Sequence, residues 1–346
     1  MKIANVMISR VQGGIEQMFL HYNTALTRLG NDVVSVVDNK CQLVNDIKTP
    51  YVKINFNKFN LLLIFKLYFA LKNFAPDIII VHQKKAIPLF KLVARLLKAK
   101  VVGVAHNPKT KRLEKCDAVI SITNNQKEKM AAHGLNADKI FAVPNMVEAQ
   151  KQEPQYKPYH QPIVFGTMGR FDPAKGFADF ILALSVLKQR CIPFKAVIGG
   201  KNNSTYAEEE KRIFQLVQDL DLQNEVEFCG WVNDKQKFFD GIDIFVLPSL
   251  EEAFGIVLLE AALAKKPIIF STADGPKEVF ENTGAALMFE RGNSQMLANK
   301  MSELVKNQSL SQELAQKAYD LVEEKYTIEA GAKVLQSTLQ KIMEKN

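Results

Sequence analysis

Ile244-Phe245-Val246-Leu247-Pro248-Ser249-Leu250-Glu251-Glu252-Ala253-Phe254-Gly255-Ile256-Val257-Leu258-Leu259-Glu260-Ala261 decides how this chain is read. Its first four residues form an apolar run of strand length, stopped by Pro248. A helix begins near Gly255. Strand, turn and helix in that order make the repeating unit of a parallel α/β sheet. Ligands of open α/β sheets bind at the carboxyl ends of strands, so the turn residues carry the interest. A helix starting near Gly255 would aim free N–H groups and its positive end at that turn, which suits a phosphate. Glu252 stands just before the helix and Glu260 lies within it. Carboxylates accept hydrogen bonds from vicinal hydroxyls and so suit a sugar ring. The bland alternative is a chance pair of acids on solvated faces, against which the Phe254-Gly255 pair and the strand-turn-helix setting weigh.

The same unit recurs upstream. The strand Ile163–Met168 leads into Gly169-Arg170-Phe171-Asp172-Pro173-Ala174-Lys175-Gly176. A guanidinium fork and an ammonium point charge flanking one turn can grip a diphosphate; a solvated surface turn is the competing reading. Further strands are expected at Ala196–Gly199, Val226–Cys229, Pro267–Phe270 and Ala286–Phe289. In the first half, strands are expected at Ile3–Ile8, Asp32–Val37, Asp77–His82, Lys100–Ala105 and Ala118–Thr123. The turn Gln12-Gly13-Gly14 opens a helix from about Ile15 to Leu29, closed by Gly30. The polar, Pro-containing stretch Asn145–Pro162 reads as an interdomain linker. The fold class is therefore α/β, with two Rossmann-like domains facing a cleft, at residues 1–148 and 160–327. A closing helix Ile328–Glu344, within residues 328–346, is expected to pack back on the first domain.

Composition agrees with two globular domains: 346 residues, 47% hydrophobic and 24% charged, too long for one ordinary core. The longest apolar stretch, Leu61–Leu71, is short and broken by Lys66, well under the roughly 20 residues of a membrane span. The N-terminus reads as a strand and not as a signal peptide, which predicts a cytoplasmic protein. Cys41, Cys116, Cys191 and Cys229 lack pairing or zinc spacing and read as reduced, structural residues. Charge is unevenly shared. Residues 1–150 hold 22 Lys/Arg against 10 Asp/Glu, a net +12, and the rest hold 23 against 27, a net −4. The first half is thus suited to something anionic.

Taken together, Gly-Arg-x4-Lys-Gly and Glu252-x7-Glu260 with Phe254-Gly255 resemble the retaining, GT-B-fold glycosyltransferases of family four, the glycosyl transferases of group 1. The resemblance runs over nearly the whole chain. Gly13-Gly14-x-Glu16 matches the family's glycine-rich loop, and His106-Asn107 its active-site histidine. Val143-Pro144-Asn145 matches the segment leading to the second domain, with Met146 in place of the usual glycine. The resemblance implies a nucleotide-diphosphate-sugar donor whose diphosphate is held by Arg170 and Lys175. Backbone N–H groups around Gly255, Ile256 and Val257, beside Phe254, would support the distal phosphate. Glu260 would bind the ribose and Glu252 the donor sugar. His106 would reach that sugar from the first domain, and Gly13 and Gly14 would let backbone approach phosphate and acceptor. Transfer of a hexosyl group would retain anomeric configuration, and no metal or other cofactor is implied.

Three features remain. Asp219-Leu220-Asp221 is formally Asp-x-Asp, but it falls in an expected helix, Glu208–Leu222, and reads as a solvated face. Lys84 to Lys100 has helical periodicity, with Lys84, Lys91, Arg95 and Lys98 on one face and Phe90, Val93 and Leu97 elsewhere. With the Lys-rich stretch Lys58–Lys72, it fits contact with an anionic membrane surface at the inner face of the cytoplasmic membrane; sheet-covering helices with charged outer faces are the alternative. Lys109, Lys111 and Arg112 read as exposed loop charges, and no nucleic-acid motif is present. The acceptor expected for such an enzyme is a glycan or glycolipid, of the lipopolysaccharide type. A nucleotide-sugar epimerase of the same fold and a non-catalytic sugar-nucleotide-binding subunit are the other readings.

Overall fold

The computed structural model describes residues 1–10, 13–57, 62–150, 152–200 and 206–345; Gln12 of the glycine turn and residues 58–61 of the Lys-rich stretch lie outside them. The chain divides into two compact units, Met1–Glu148 with Tyr326–Asn346, and Ala149–Lys325.

Unit 1 is built on strands β1 (Lys2–Met7), β2 (Asp32–Asp38), β3 (Tyr51–Ile54), β4 (Ile78–Val81), β5 (Lys100–Ala105), β6 (Ala118–Ser121) and β7 (Ile140–Ala142). They form one sheet in the order β3-β2-β1-β4-β5-β6-β7, and every pair is parallel. Strand β4 is a continuous Ile/Val run with all four residues buried, as expected of a parallel strand covered on both faces. Helices α1 (Gly14–Arg28), α2 (Leu62–Leu71), α3 (Ile87–Leu97) and α4 (Asn124–Ala132) connect the strands. The core on one face joins Leu63, Leu67 and Leu71 of α2 to Ile87, Phe90 and Val93 of α3.

Unit 2 repeats the plan with β8 (Ile163–Met168), α5 (Phe177–Gln189), β9 (Phe194–Gly199), α6 (Ala207–Asp219), β10 (Val226–Gly230), α7 (Lys235–Asp240) and β11 (Ile244–Leu247). It continues with α8 (Ile256–Leu263), β12 (Ile268–Ser271), α9 (Asp274–Phe280), β13 (Leu287–Phe289), α10 (Ser294–Lys306) and α11 (Gln308–Lys325). The parallel sheet runs β10-β9-β8-β11-β12-β13. The last helix, α12 (Ile328–Glu344), belongs to unit 1 and packs on α1. Its start is fixed by Val147, whose N–H donates to Tyr326 and whose carbonyl accepts from Ile328.

Several expectations need correction. The edge strands β3 and β7 were not expected; at four and three residues both are too short to show a distinct strand pattern. The stretch read as an interdomain linker contains the boundary between the units, and its part from Ala149 onward is held to unit 2. Glu153 pairs with Lys265, Lys157 with Asp240 and His160 with Asp243, all inside unit 2. Asp219 ends α6, and Asp221 lies beyond it with positive φ, so the two acids share no helix face. Lys84 and Lys91 do not join a free basic face. Lys84 precedes α3 and turns onto the Asn107 side chain, while Lys91 pairs with Asp117 at 2.5 Å. All four cysteines are free thiols; Cys41 and Cys116 are buried, but Cys191 and Cys229 are exposed and are not core residues.

Candidate active site

In unit 2 the strand order reverses between β8 and β11, neighbours paired at Phe165 with Ile244 and Gly166 with Phe245. A crevice opens at the carboxyl ends of strands where such a reversal occurs. Both charged motifs are carried by the loops leaving these two strands. After β8, the Asp172 carboxylate caps a short turn by accepting from the Ala174 N–H at 3.1 Å. The turn ends at Gly176, whose φ of 67° favours glycine and where a Cβ would sit 2.1 Å from the Pro248 carbonyl oxygen. That close approach stitches the two loops together. The Ala174 carbonyl also accepts from the Leu250 and Glu251 N–H groups at 2.8 and 3.1 Å.

The stitch brings Lys175 onto Glu252, with Nζ 2.6 Å from Oε2 and both side chains mostly buried. Arg170 is half-exposed, and its nearest acid is Asp172 at 3.6 Å. It is therefore the more open of the two cations expected on a diphosphate. After Glu252, Phe254 is buried and anchors the turn; Gly255, with φ 85°, precedes the first residue of α8. Ile256 and Val257 supply the first N–H groups of that helix, which lack an intrahelical acceptor by construction. Glu260, one turn further on, is nearly buried and paired with Lys235.

Reading the sequence alone missed Lys235. It stands at the first turn of α7, after the capping residue Asp234, and only the fold brings it to Glu260. The Ser249 hydroxyl was also missed; it is buried without a hydrogen-bond partner beside these loops.

In unit 1 the order reverses between β1 and β4. Gly13 and Gly14 follow β1 and open α1; Gly13 is extended, with φ 177°, and so needs no glycine for its backbone shape. A Cβ there would crowd the Glu16 carboxylate at 3.1 Å. His106 follows β5, and its Nε2 lies 3.3 Å from Nδ1 of His82, the residue after β4. His82 was not expected in the site.

The hydrogen-bond chain behind His82 fixes its hydrogens. The Phe19 carbonyl can only accept, so the Asn5 amide nitrogen faces it, at 3.2 Å, and donates also to Asn23 Oδ1 at 2.9 Å. Asn5 Oδ1 is left as the acceptor for His82 Nε2, 2.9 Å away. Full burial, and next the neighbouring His106, hold the His82 pKa well below the usual histidine value. His82 is therefore neutral, hydrogenated at Nε2, with a lone pair on Nδ1. His106 must then donate from Nε2, which leaves its Nδ1 as an acceptor. Burial, and then the nearby Lys84 ammonium, lower the His106 pKa to about 4, so it too is neutral near pH 7. Lys84 holds the loop after β5 through Asn107, at 2.6 Å.

Comparison with known proteins follows the same division. Residues 148–321 match the family model described as glycosyl transferases group 1, and residues 12–151 match that described as glycosyltransferase family 4. The lipopolysaccharide core biosynthesis glycosyltransferase LpsE of Rhizobium meliloti (strain 1021) is 24% identical over 328 residues, 92% of this chain and 93% of that protein. A glycosyltransferase of Rickettsia africae ESF-5 superposes with a TM-score of 0.86 at 20% identity, covering 99% of each chain. Anabaena Alr3699/HepE in complex with UDP-glucose superposes with a TM-score of 0.83 at 19% identity, covering 98% of this chain and 99% of that one. The two parallel α/β units are those of the GT-B fold.

Proposed function

The chain belongs to the glycosyl transferases group 1, and from that premise we propose that it moves a hexosyl group from a nucleoside-diphosphate sugar to a lipid-linked or surface glycan, with retention at the anomeric carbon. That it is a glycosyltransferase decides against the epimerase and the non-catalytic subunit. The observation that carries the donor half is the Lys175–Glu252 pair at 2.6 Å, set between Arg170 and the first turn of α8. Cation, carboxylate and free N–H groups then stand at one crevice, which is what a sugar diphosphate requires.

In this reading Arg170 and Lys175 hold the diphosphate, and the N–H groups of Gly255, Ile256 and Val257 take the distal phosphate. Phe254 keeps that turn in place. Glu260 binds the ribose, exchanging its contact with Lys235 for hydroxyl donors, and Glu252 binds the sugar. In unit 1, His106 serves the transferred sugar, and Gly13 and Gly14 leave room for phosphate and acceptor. The bond from the anomeric carbon to the phosphate oxygen breaks, and charge builds on the departing diphosphate. Fixed cations and N–H dipoles lower the energy of that charge without reorganising. The acceptor oxygen bonds to the anomeric carbon on the same face, and its proton passes to the departing phosphate oxygen. Charge neutralisation is assigned to the chain's own cations, with no metal or cofactor.

The UDP-glucose held by HepE supports a donor of this class, and the role printed for LpsE supports an acceptor of the lipopolysaccharide type. The net +12 of residues 1–150 supports work at the inner face of the cytoplasmic membrane.

A thermal-shift screen of nucleotide sugars identifies the donor. With that donor, calorimetry on Arg170→Ala and Glu260→Ala is expected to show affinity weakened by about tenfold in each, the loss of one charge-assisted contact. Unchanged affinity in both overturns the site.

A further inference from the structure

Helix α2 is apolar on both sides. Leu63, Leu67 and Leu71, spaced by four, face the sheet and are buried. Leu62, Phe65 and Phe69 face away, at 69%, 58% and 60% exposure. A surface helix ordinarily turns polar residues outward, and a helix apolar all round is ordinarily enclosed. Lys66 is the only charge within α2. Helix α3 repeats the pattern more weakly. Ile87, Phe90, Val93 and Ala94 are buried, while Leu92 and Leu96, one turn apart, are 43% and 50% exposed. The two helices pack on each other over one shared core, so their outward faces adjoin. Single exposed apolar residues need no explanation, but five on two adjoining helices form a patch.

The charge around the patch is predominantly positive, with Glu114 and the Lys91-paired Asp117 as acids near α3. Residues 47–113 hold fourteen Lys/Arg and a single acid before Glu114, Asp77. Lys66, Lys72, Lys85, Arg95 and Lys98, on α2, α3 or their flanks, are all exposed. Lys72 Nζ stands 5.0 Å from the Phe69 ring, so cation and aromatic share one surface.

We propose that the outward face of α2 and α3 docks on an anionic bilayer, placing Phe65, Phe69, Leu62, Leu92 and Leu96 at the acyl boundary and the surrounding cations among the headgroups. The charge pattern selects this occupant. A second copy of the chain would set like charges against each other. A nucleic acid would leave the leucines without a partner. An anionic interface takes both the apolar residues and the cations. The proposal rests on the reading above for its setting, since a lipid-linked acceptor is met at that surface. Its test does not require transfer.

The experiment is cosedimentation of the full chain with phosphatidylglycerol/phosphatidylcholine vesicles and with pure phosphatidylcholine vesicles, at low and high salt. Binding to the anionic vesicles, weakened by salt, is expected. Phe65→Ser with Phe69→Ser is expected to weaken it by at least about tenfold at low salt. Lys66→Glu with Arg95→Glu is expected to remove the salt dependence together with the binding. These positions are exposed, so an unchanged melting temperature confirms that both variants fold. Absence of binding by the wild type at low salt overturns the proposal, as does undiminished binding by the Phe65/Phe69 variant. Self-association through this face, abolished by the same variant without any vesicle binding, also overturns it. Failure of the transferase reading shows separately, as undiminished donor affinity in the Arg170 and Glu260 variants with no vesicles present.

Discussion

At the carboxyl ends of β8 and β11 the polar side chains are charged and paired, Lys175 with Glu252 and Lys235 with Glu260. In unit 1 a neutral chain runs back from the ends of β5 and β4, His106 to His82 to Asn5 to Asn23, with the Lys84 ammonium beside its outer end. Both sets occupy the switch point of a doubly wound sheet. The difference teaches what each can offer a ligand. Paired charges can exchange partners when an anion or a hydroxyl arrives. A chain of neutral donors and acceptors instead presents one nitrogen in one fixed hydrogenation state.

The comparison breaks first at Lys175. If exchangeable charge is the working principle of unit 2, Lys175→Ala removes a cation from the departing diphosphate and strands Glu252 with little solvent. Transfer is expected to fall by about 10²- to 10³-fold, the range seen when one fixed stabiliser of a developing charge is lost. Glu252→Gln sharpens the point. It releases Lys175 for phosphate, so affinity for the free nucleoside diphosphate is expected to hold or rise while turnover falls. Steady-state kinetics beside calorimetry separates the two effects.

The charged half of the comparison was legible in the sequence and the neutral half was not. Arg170, Lys175, Glu252 and Glu260 stand out because charge beside a short apolar strand is rare, and β8, β11 and α8 begin within a residue or so of where their apolar runs and glycines put them. Lys235 could not be read, because its distance from Glu260 is set by the packing of α7 against the sheet. His82 looked like the last residue of a strand. Only the register that places β4 between β1 and β5 brings it to Asn5 and His106. The outward apolar face of α2 was hidden for a related reason. A helix apolar all round gives no periodicity from which to tell inside from outside.

The neutral half makes a smaller, pH-dependent prediction. His82→Phe keeps a ring against Phe19 and Tyr22 but leaves Asn5 Oδ1 and the His106 N–H without partners. The unfolding free energy is expected to drop by about 1–3 kcal/mol for such orphaned groups. Nitrogen NMR of labelled histidine is expected to show His106 losing its fixed tautomer. In the wild type, both histidines hold folded pKa values below the usual value, His106 at about 4. The unfolded chain therefore takes up protons first. Stability is complete above about pH 6.5 and declines as pH falls toward about 4. Denaturant titrations on either side of that window are expected to show the decline, and to show less of it in His82→Phe. An equal decline would mean that His82 contributes nothing to the acid response.

The smallest effect is expected where charge lies outside both networks. Asp219 and Asp221 are exposed, one at the end of α6 and one beyond it in a left-handed turn. Neither follows a strand, and in a doubly wound sheet a ligand group has to follow a strand to reach the crevice. Asp219→Asn with Asp221→Asn is expected to change stability by no more than about 0.5 kcal/mol, as for ordinary surface positions. Donor affinity and transfer should stay unchanged, with or without a chelator in the assay. A chelator-sensitive rate that these substitutions also lower would place charge neutralisation on a bound cation. The paired charges of unit 2 would then be scaffolding around that cation and not the source of catalysis.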